Sequence, residues 1–203
     1  MKHPYLRKMG FPQGFYRVGP LGRLNVIDKI GTPLAQEEFK LFRQINGGLP
    51  VEGSLYYHYA RMIEALYGVE RIGQLLDDPD IMSTNVRNYP PLSNVHGQGV
   101  GVVEAPRGTL FHDYSTDENG VLTRVNLIVA TGNNNWAMHT AAGAVAKAYV
   151  DGTKLTEGML NRVEAAIRCY DPCLSCSTHA IGKMTLVVTL IAADGTVLDR
   201  ISR

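Results

Sequence analysis

A chain of 203 residues has room for one domain with a full core, or for a piece of a larger one. Its 45% hydrophobic and 19% charged residues are the balance of an ordinary globule, and a formal net charge of +1 offers no attraction to nucleic acid or anionic lipid. Charge and proline in Met1-Lys2-His3-Pro4-Tyr5-Leu6-Arg7-Lys8 interrupt any secretory apolar region, and no run of about 18 apolar residues is present to span a bilayer. Three cysteines are not a disulfide framework, so a reducing, cytoplasmic setting is expected, with no nucleic-acid or membrane partner.

In chain order, the stretch up to Pro33 is punctuated by glycine and proline and reads as ordered loop, because Tyr5, Phe11, Phe15, Tyr16 and Leu24 need burial. A helix is expected from Leu34 to Asn46, stopped by Gly47-Gly48. A longer one runs from the N-cap candidate Ser54 to Leu76, with Leu55, Tyr59, Met62, Ile63, Leu66, Val69 and Ile72 as its apolar stripe. His58 on that helix reads as a packed or surface residue. A long polar connection from Asp77 to His96 precedes strands over Gly99 to Glu104, Thr109 to Tyr114 and Leu122 to Ala130. Asp117-Glu118-Asn119-Gly120 is the hairpin signal between the last two. This order delivers Pro106-Arg107-Gly108 to one end of the sheet, near the return through Thr131 to Asn135.

An alanine-rich helix follows from Trp136 to Val150, and Thr156-Glu157 caps another whose Leu160, Val163, Ile167 and Tyr170 form a buried stripe. Met184 to Ile191 and Thr196 to Leu198 read as a hairpin turning at Ala193-Asp194-Gly195. The expected class is α+β, mainly helical with a small antiparallel sheet.

Chemistry concentrates in Asp171-Pro172-Cys173-Leu174-Ser175-Cys176-Ser177-Thr178-His179, directly behind the last long helix. Two thiols spaced Cys-x-x-Cys can meet on one soft metal or metal pair, such as nickel, iron or zinc. They make a half-site, since closed zinc and iron–sulfur sites take about four ligands, and Cys169 on the preceding helix has nothing to mark it as a third. Two other readings of the pair stand beside this one. A redox dithiol belongs at the start of a helix, where the dipole lowers a thiol pKa, whereas here Asp171-Pro172 ends one. Buried structural cysteines are common in cores.

The nine-residue run resembles the C-terminal signature Asp-Pro-Cys-x-x-Cys-x-x-His of the nickel-iron hydrogenase large subunit. Val103-Glu104-Ala105-Pro106-Arg107-Gly108-Thr109-Leu110 is similar to the segment that carries an arginine over the open face of the metals in that family. Tyr16-Arg17-Val18-Gly19-Pro20-Leu21-Gly22-Arg23-Leu24-Asn25 resembles its Arg-Val-Gly-Pro-Leu-x-Arg stretch, in which Arg17 and Arg23 read as solvated or loop-pinning. The resemblance runs from near Met1 to Arg203. Gly97-Gln98-Gly99-Val100-Gly101-Val102-Val103-Glu104 and Ala180-Ile181-Gly182-Lys183-Met184 look most like the cytoplasmic kind coupled to pyridine nucleotides.

The resemblance implies the C-terminal part of the large-subunit fold and reversible heterolytic cleavage of dihydrogen at a nickel-iron centre whose iron carries CO and cyanide. It implies Cys173 as a terminal nickel ligand and first proton acceptor, and Cys176 as a bridge between the metals. Arg107 would stand over the open position, with Asp171 keeping it aimed by an ion pair; simple capping of the helix end is the plainer role for Asp171. Pro106 and Arg107 would touch the diatomic ligands, and Thr131 would donate to a cyanide. His179 would bind magnesium as the new C-terminus, so that residues 1–179 are the hydrogenase portion and 180–203 an extension removed by a maturation endopeptidase. The chain as given would then be the unprocessed precursor.

No Gly-x-Gly-x-x-Gly stands in a nucleotide-binding context. Electrons would therefore leave through an iron–sulfur small subunit to diaphorase subunits that reduce NAD(P). The family also carries a second, N-terminal Cys-x-x-Cys and a magnesium-binding glutamate, and this chain has neither. It is therefore read as a C-terminal portion, truncated or split, with an incomplete core. A non-catalytic hydrogenase-related fragment or assembly subunit is the alternative, and a zinc module completed by dimerisation a third reading.

Overall fold

The computed structural model describes residues 3–87, 97–173 and 187–202. They fall into two compact units, Val18–Ala130 and a second built from Met1–Arg17 with Thr131–Arg203.

In Val18–Ala130, helices α1 (Pro20–Val26) and α2 (Pro33–Gln44) both pack on α3 (Tyr56–Leu76). Each of the first two opens with proline at its first position, where the missing N–H costs nothing and the fixed φ suits a helix. α1 falls where the sequence reads as loop. Its seven residues are too few for a periodic pattern, and burial of Leu21 and Leu24, three apart, is what makes the helix worthwhile. Asn25 then fixes its end, its side chain accepting from the Val51 N–H and donating to the Val51 carbonyl.

The buried face of α3 is Tyr57, Ala60 and Ile63, and the Tyr57 hydroxyl donates to the Val18 carbonyl at 3.0 Å. The apolar stripe expected from spacing is in part wrong: Ile63 is buried, but Leu55, Met62, Val69 and Ile72 are exposed. The core instead selects a face with a small residue at its centre, Ala60, which lets helices approach closely. Glu70 from the same helix caps α2, its carboxylate accepting from the Thr32 hydroxyl and from the N–H groups of Leu34 and Ala35. A short 3-10 helix, Pro79–Met82, follows.

The sheet of this unit is an antiparallel meander of β1 (Gly97–Ala105), β2 (Gly108–Thr116) and β3 (Leu122–Ile128), with β2 central. The turn at 117–120 forms as the sequence requires, with Asp117 accepting from the N–H groups of Asn119 and Val121, and Gly120 at φ 78°. Nearly all of β1 is exposed, including Val100, Val102 and Val103.

In the other unit, the short α4 (Ala130–Asn133) leads into α5 (Asn135–Tyr149), which packs against α6 (Glu157–Arg168). The N-terminal segment lays Phe15 flat on Trp136, with ring centroids 4.5 Å apart, while Phe11 and His3 meet the indole edge-on. The C-terminal hairpin, β4 (Val187–Ile191) and β5 (Val197–Ser202), is tied to the loop before α6 by the Asp199 carboxylate, which accepts from the Leu155 N–H at 2.6 Å.

Candidate metal-centre residues

The helix α6 delivers the cysteine turn. Thr156 caps it by accepting from the Met159 N–H, and Leu160, Ala166, Cys169 and Tyr170 bury its inner face. The Cys169 thiol is buried and donates to the Ala165 carbonyl one turn back. The chain leaves the helix at Asp171, the one described non-glycine residue with positive φ, at 48°. Aspartate tolerates this left-handed conformation better than most residues, and Pro172 behind it prevents the helix from continuing. The helix-ending role of Asp171 is thus a property of its backbone.

Two residues on, the Cys173 N–H donates to the Thr131 hydroxyl oxygen at 3.1 Å. Thr131 is only 4% exposed. Because its oxygen accepts here, the hydroxyl hydrogen is left for a second acceptor. The structure therefore brings together two residues that the sequence separates by 42 positions. Thr131 is the second residue of the helical turn α4 instead of part of a loop at a strand end, and its carbonyl accepts from the Asn134 N–H.

Sequence reasoning passed over the residues that line up behind Thr131. Asn133, Asn134 and Asn135 are all buried, and the Tyr16 hydroxyl donates to the Asn133 side-chain oxygen. Burial holds the Tyr16 phenol above its ordinary pKa, so it stays a donor throughout the neutral range. Three consecutive amides ahead of an alanine-rich helix were the available signal, since polar side chains are buried only where their bonds are satisfied.

Pro106 and Arg107 lie in the Val18–Ala130 unit and form a two-residue turn joining β1 to β2, with Ala105 paired to Gly108. Pro106 is exposed and Arg107 half-buried. Gly108, at φ 135°, sits so close to Val18 that an added Cβ would lie 2.2 Å from a valine methyl, and one on Gly19 would lie 2.9 Å from the Arg107 carbonyl oxygen. Arg23 grips the same turn. Its guanidinium donates to the carbonyls of Ala105 and Pro106, both at 2.8 Å, and pairs with Glu64 and Glu104. Arg23 thus takes the loop-pinning role of the two considered for it. Burial lowers its pKa, but the bonds to and charges of the two glutamates outweigh that and raise it.

Cys176 and His179 lie outside the described residues. Among the described residues no three histidine, cysteine or carboxylate side chains group to hold a metal ion. The Cys-x-x-Cys pair offers the donor type that a soft-metal centre takes, half the usual set, and the backbone of its first cysteine is anchored by a buried hydroxyl.

Residues 2–179 match the family model described as nickel-dependent hydrogenase. The chain is 48% identical over its whole length to the NAD-reducing hydrogenase HoxS subunit beta of Cupriavidus necator, of which it covers 42%. It is 44% identical to a chain of the F420-non-reducing hydrogenase of Methanothermobacter thermautotrophicus, over 96% of this chain and 41% of that one. Among solved structures, a chain of the NAD+-reducing [NiFe]-hydrogenase in the H2-reduced state superposes with a TM-score of 0.79 at 44% identity, covering 88% of this chain and 39% of that one. The chain spans about two-fifths of the length of these relatives.

Proposed function

The chain belongs to the nickel-dependent hydrogenase family, and from that premise we propose that it is the C-terminal part of a hydrogenase catalytic subunit. Its activity is the reversible heterolytic splitting of dihydrogen, with electrons passed through an iron–sulfur small subunit to diaphorase subunits that reduce NAD(P). The observation that carries this reading is the bond from the Cys173 N–H to buried Thr131, because it fixes the first cysteine of the Asp-Pro-Cys-x-x-Cys-x-x-His run on a rigid support. The 48% identity to an NAD-reducing hydrogenase subunit supports the choice of acceptor.

When bound, the nickel-iron centre, with CO and cyanide on its iron, supplies the Lewis-acidic site at which dihydrogen is polarised. Cys173 and Cys176 would hold it, together with a further cysteine pair that this sequence does not contain. The Cys173 sulfur would accept the released proton, the Thr131 hydroxyl hydrogen would be available to a cyanide, and Pro106 and Arg107 would meet the diatomic ligands. Arg107, permanently charged and rigidly forked, would serve the open coordination position, with Asp171 in the role of the carboxylate that aims it. His179 would ligate magnesium after removal of residues 180–203 by a maturation endopeptidase. The family match ending at residue 179 supports that boundary. The site is cytoplasmic in this reading, and no described helix is long and apolar enough to cross a membrane.

The test is metal analysis of the purified complex that contains the chain, together with dihydrogen-dependent NAD(P) reduction. Stoichiometric nickel is expected, and Cys173→Ser should lose both nickel and activity. A wild-type complex free of nickel overturns the proposal. Stoichiometric zinc in its place would favour a zinc module, and no metal at all a non-catalytic relative.

A further inference from the structure

We infer that Arg23 is a positioning residue for Arg107: it sets the place of the Arg107 guanidinium by holding the backbone of the turn that carries it. The inference rests on the proposed function for its catalytic meaning, but its geometry lies entirely within Val18–Ala130.

The turn needs an outside hold. Two-residue hairpin turns close best in the primed types, whose first residue has positive φ. Proline cannot adopt that conformation, and Arg107 is not left-handed either. The β1–β2 connection is therefore not of a primed type, and Gly108 re-enters the ladder at φ 135°, paired with Ala105. Both carbonyls on the approach to Arg107, those of Ala105 and Pro106, turn outward and are taken up by one guanidinium.

That guanidinium is itself fixed from two sides. Its Nε and one terminal nitrogen form a parallel pair of bonds to the Glu64 carboxylate, each 2.6 Å, which anchors it to α3. Another terminal nitrogen pairs with Glu104, whose second oxygen accepts from the Thr109 hydroxyl at 2.7 Å across the β1–β2 ladder. A planar fork bound in this way has little freedom to shift. The close fits at Gly19 and Gly108 complete the clamp. A lysine could supply the charge but not the several directed donors. Displacement of a reacting group by about 1 Å costs on the order of 100-fold in rate, so a clamp of this kind has catalytic consequences without touching substrate.

The experiment uses the purified complex with Arg23→Gln, with Glu104→Gln as a milder variant that retains the guanidinium, and with Arg107→Lys alone and combined with Arg23→Gln. Amide hydrogen exchange over residues 107–109 and dihydrogen turnover are read in each. Arg23→Gln is expected to speed exchange at 107–109 by about tenfold or more while leaving α2 unchanged, and to lower turnover roughly 10- to 100-fold. Adding Arg23→Gln to Arg107→Lys should cost little further turnover, since a residue acting through Arg107 has nothing left to position. Unchanged exchange at 107–109, or a turnover loss equally large with and without Arg107, overturns the inference. If Arg23→Gln does not fold, Arg23→Lys, which keeps a charge but not the several directed donors, decides by the same exchange reading, a rise supporting the inference and no change overturning it. The exchange arm needs no metal, so a nickel-free complex would defeat the proposed function while the positioning of the turn is still measured.

Discussion

The two units hold their candidate residues by opposite means. In Val18–Ala130 the Pro106-Arg107 turn is held by charge: a partly exposed guanidinium between two carboxylates, each of which also bonds elsewhere or anchors a helix. In the other unit the Cys173 turn is held by a neutral bond to a hydroxyl that water scarcely reaches. The difference teaches that a backbone segment can be gripped by ions at the rim or by a neutral, buried hydroxyl, and that the two kinds of hold should answer differently to salt. A neutral, buried anchor fixes the backbone without adding a charge beside the thiolate.

The sharpest way to break this contrast is Thr131→Val, which keeps the shape and removes the acceptor. The Cys173 N–H then loses its partner, and stability should fall by about 1–3 kcal/mol in denaturant unfolding, with no dependence on salt. Glu104→Gln probes the other side. An exposed arm of an ion-pair network contributes only about 0.2–1 kcal/mol, and the gap between variant and wild type should narrow between about 0.1 and 1 M salt, as measured by the same unfolding curves. If both variants respond alike to salt, the distinction between charged and neutral anchoring fails.

The smallest effect expected is at Glu70, away from either turn. Desolvation, the largest single influence, raises its pKa, but bonds from the Thr32 hydroxyl and the Leu34 and Ala35 N–H groups together outweigh it and hold it below the usual carboxylate value. A lowered folded-state pKa means that stabilisation is complete above the unfolded value and is lost as pH falls through the folded one. The acid limb of stability should therefore be shallower in Glu70→Gln than in wild type, as read from unfolding midpoints between neutral pH and about pH 3.

What could be read from sequence follows from the range of the forces involved. The β-hairpins were legible because their turn residues act locally, as at Asp117 and Gly120, and the capped start of α6 at Thr156 likewise. So was the end of α6, written in Asp171-Pro172. α1 was not legible, because its two buried leucines gain their energy from α3 and leave no local period. The exposed side of α3 misled for a related reason: Leu55, Met62, Val69 and Ile72 keep helical spacing without finding a partner among the described residues. In a chain that spans two-fifths of its relatives, apolar spacing marks surfaces for contact without saying which contacts lie within the segment. The Cys-x-x-Cys half-site showed in the motif, but Thr131 as its backbone anchor and the Asn133–Tyr16 support behind it are long-range bonds that no local pattern encodes.

The tether between Asp199 and the Leu155 amide gives the C-terminal hairpin a second meaning. Leu155 is 5% exposed, so excision of the hairpin would strand a shielded peptide N–H, a loss on the order of 1–3 kcal/mol unless the loop before α6 rearranges to rescue it. Proteolytic trimming would thus be felt at the opposite end of α6 from the cysteines. The deuterium uptake of this single amide would clock the conversion of the longer form into the shorter.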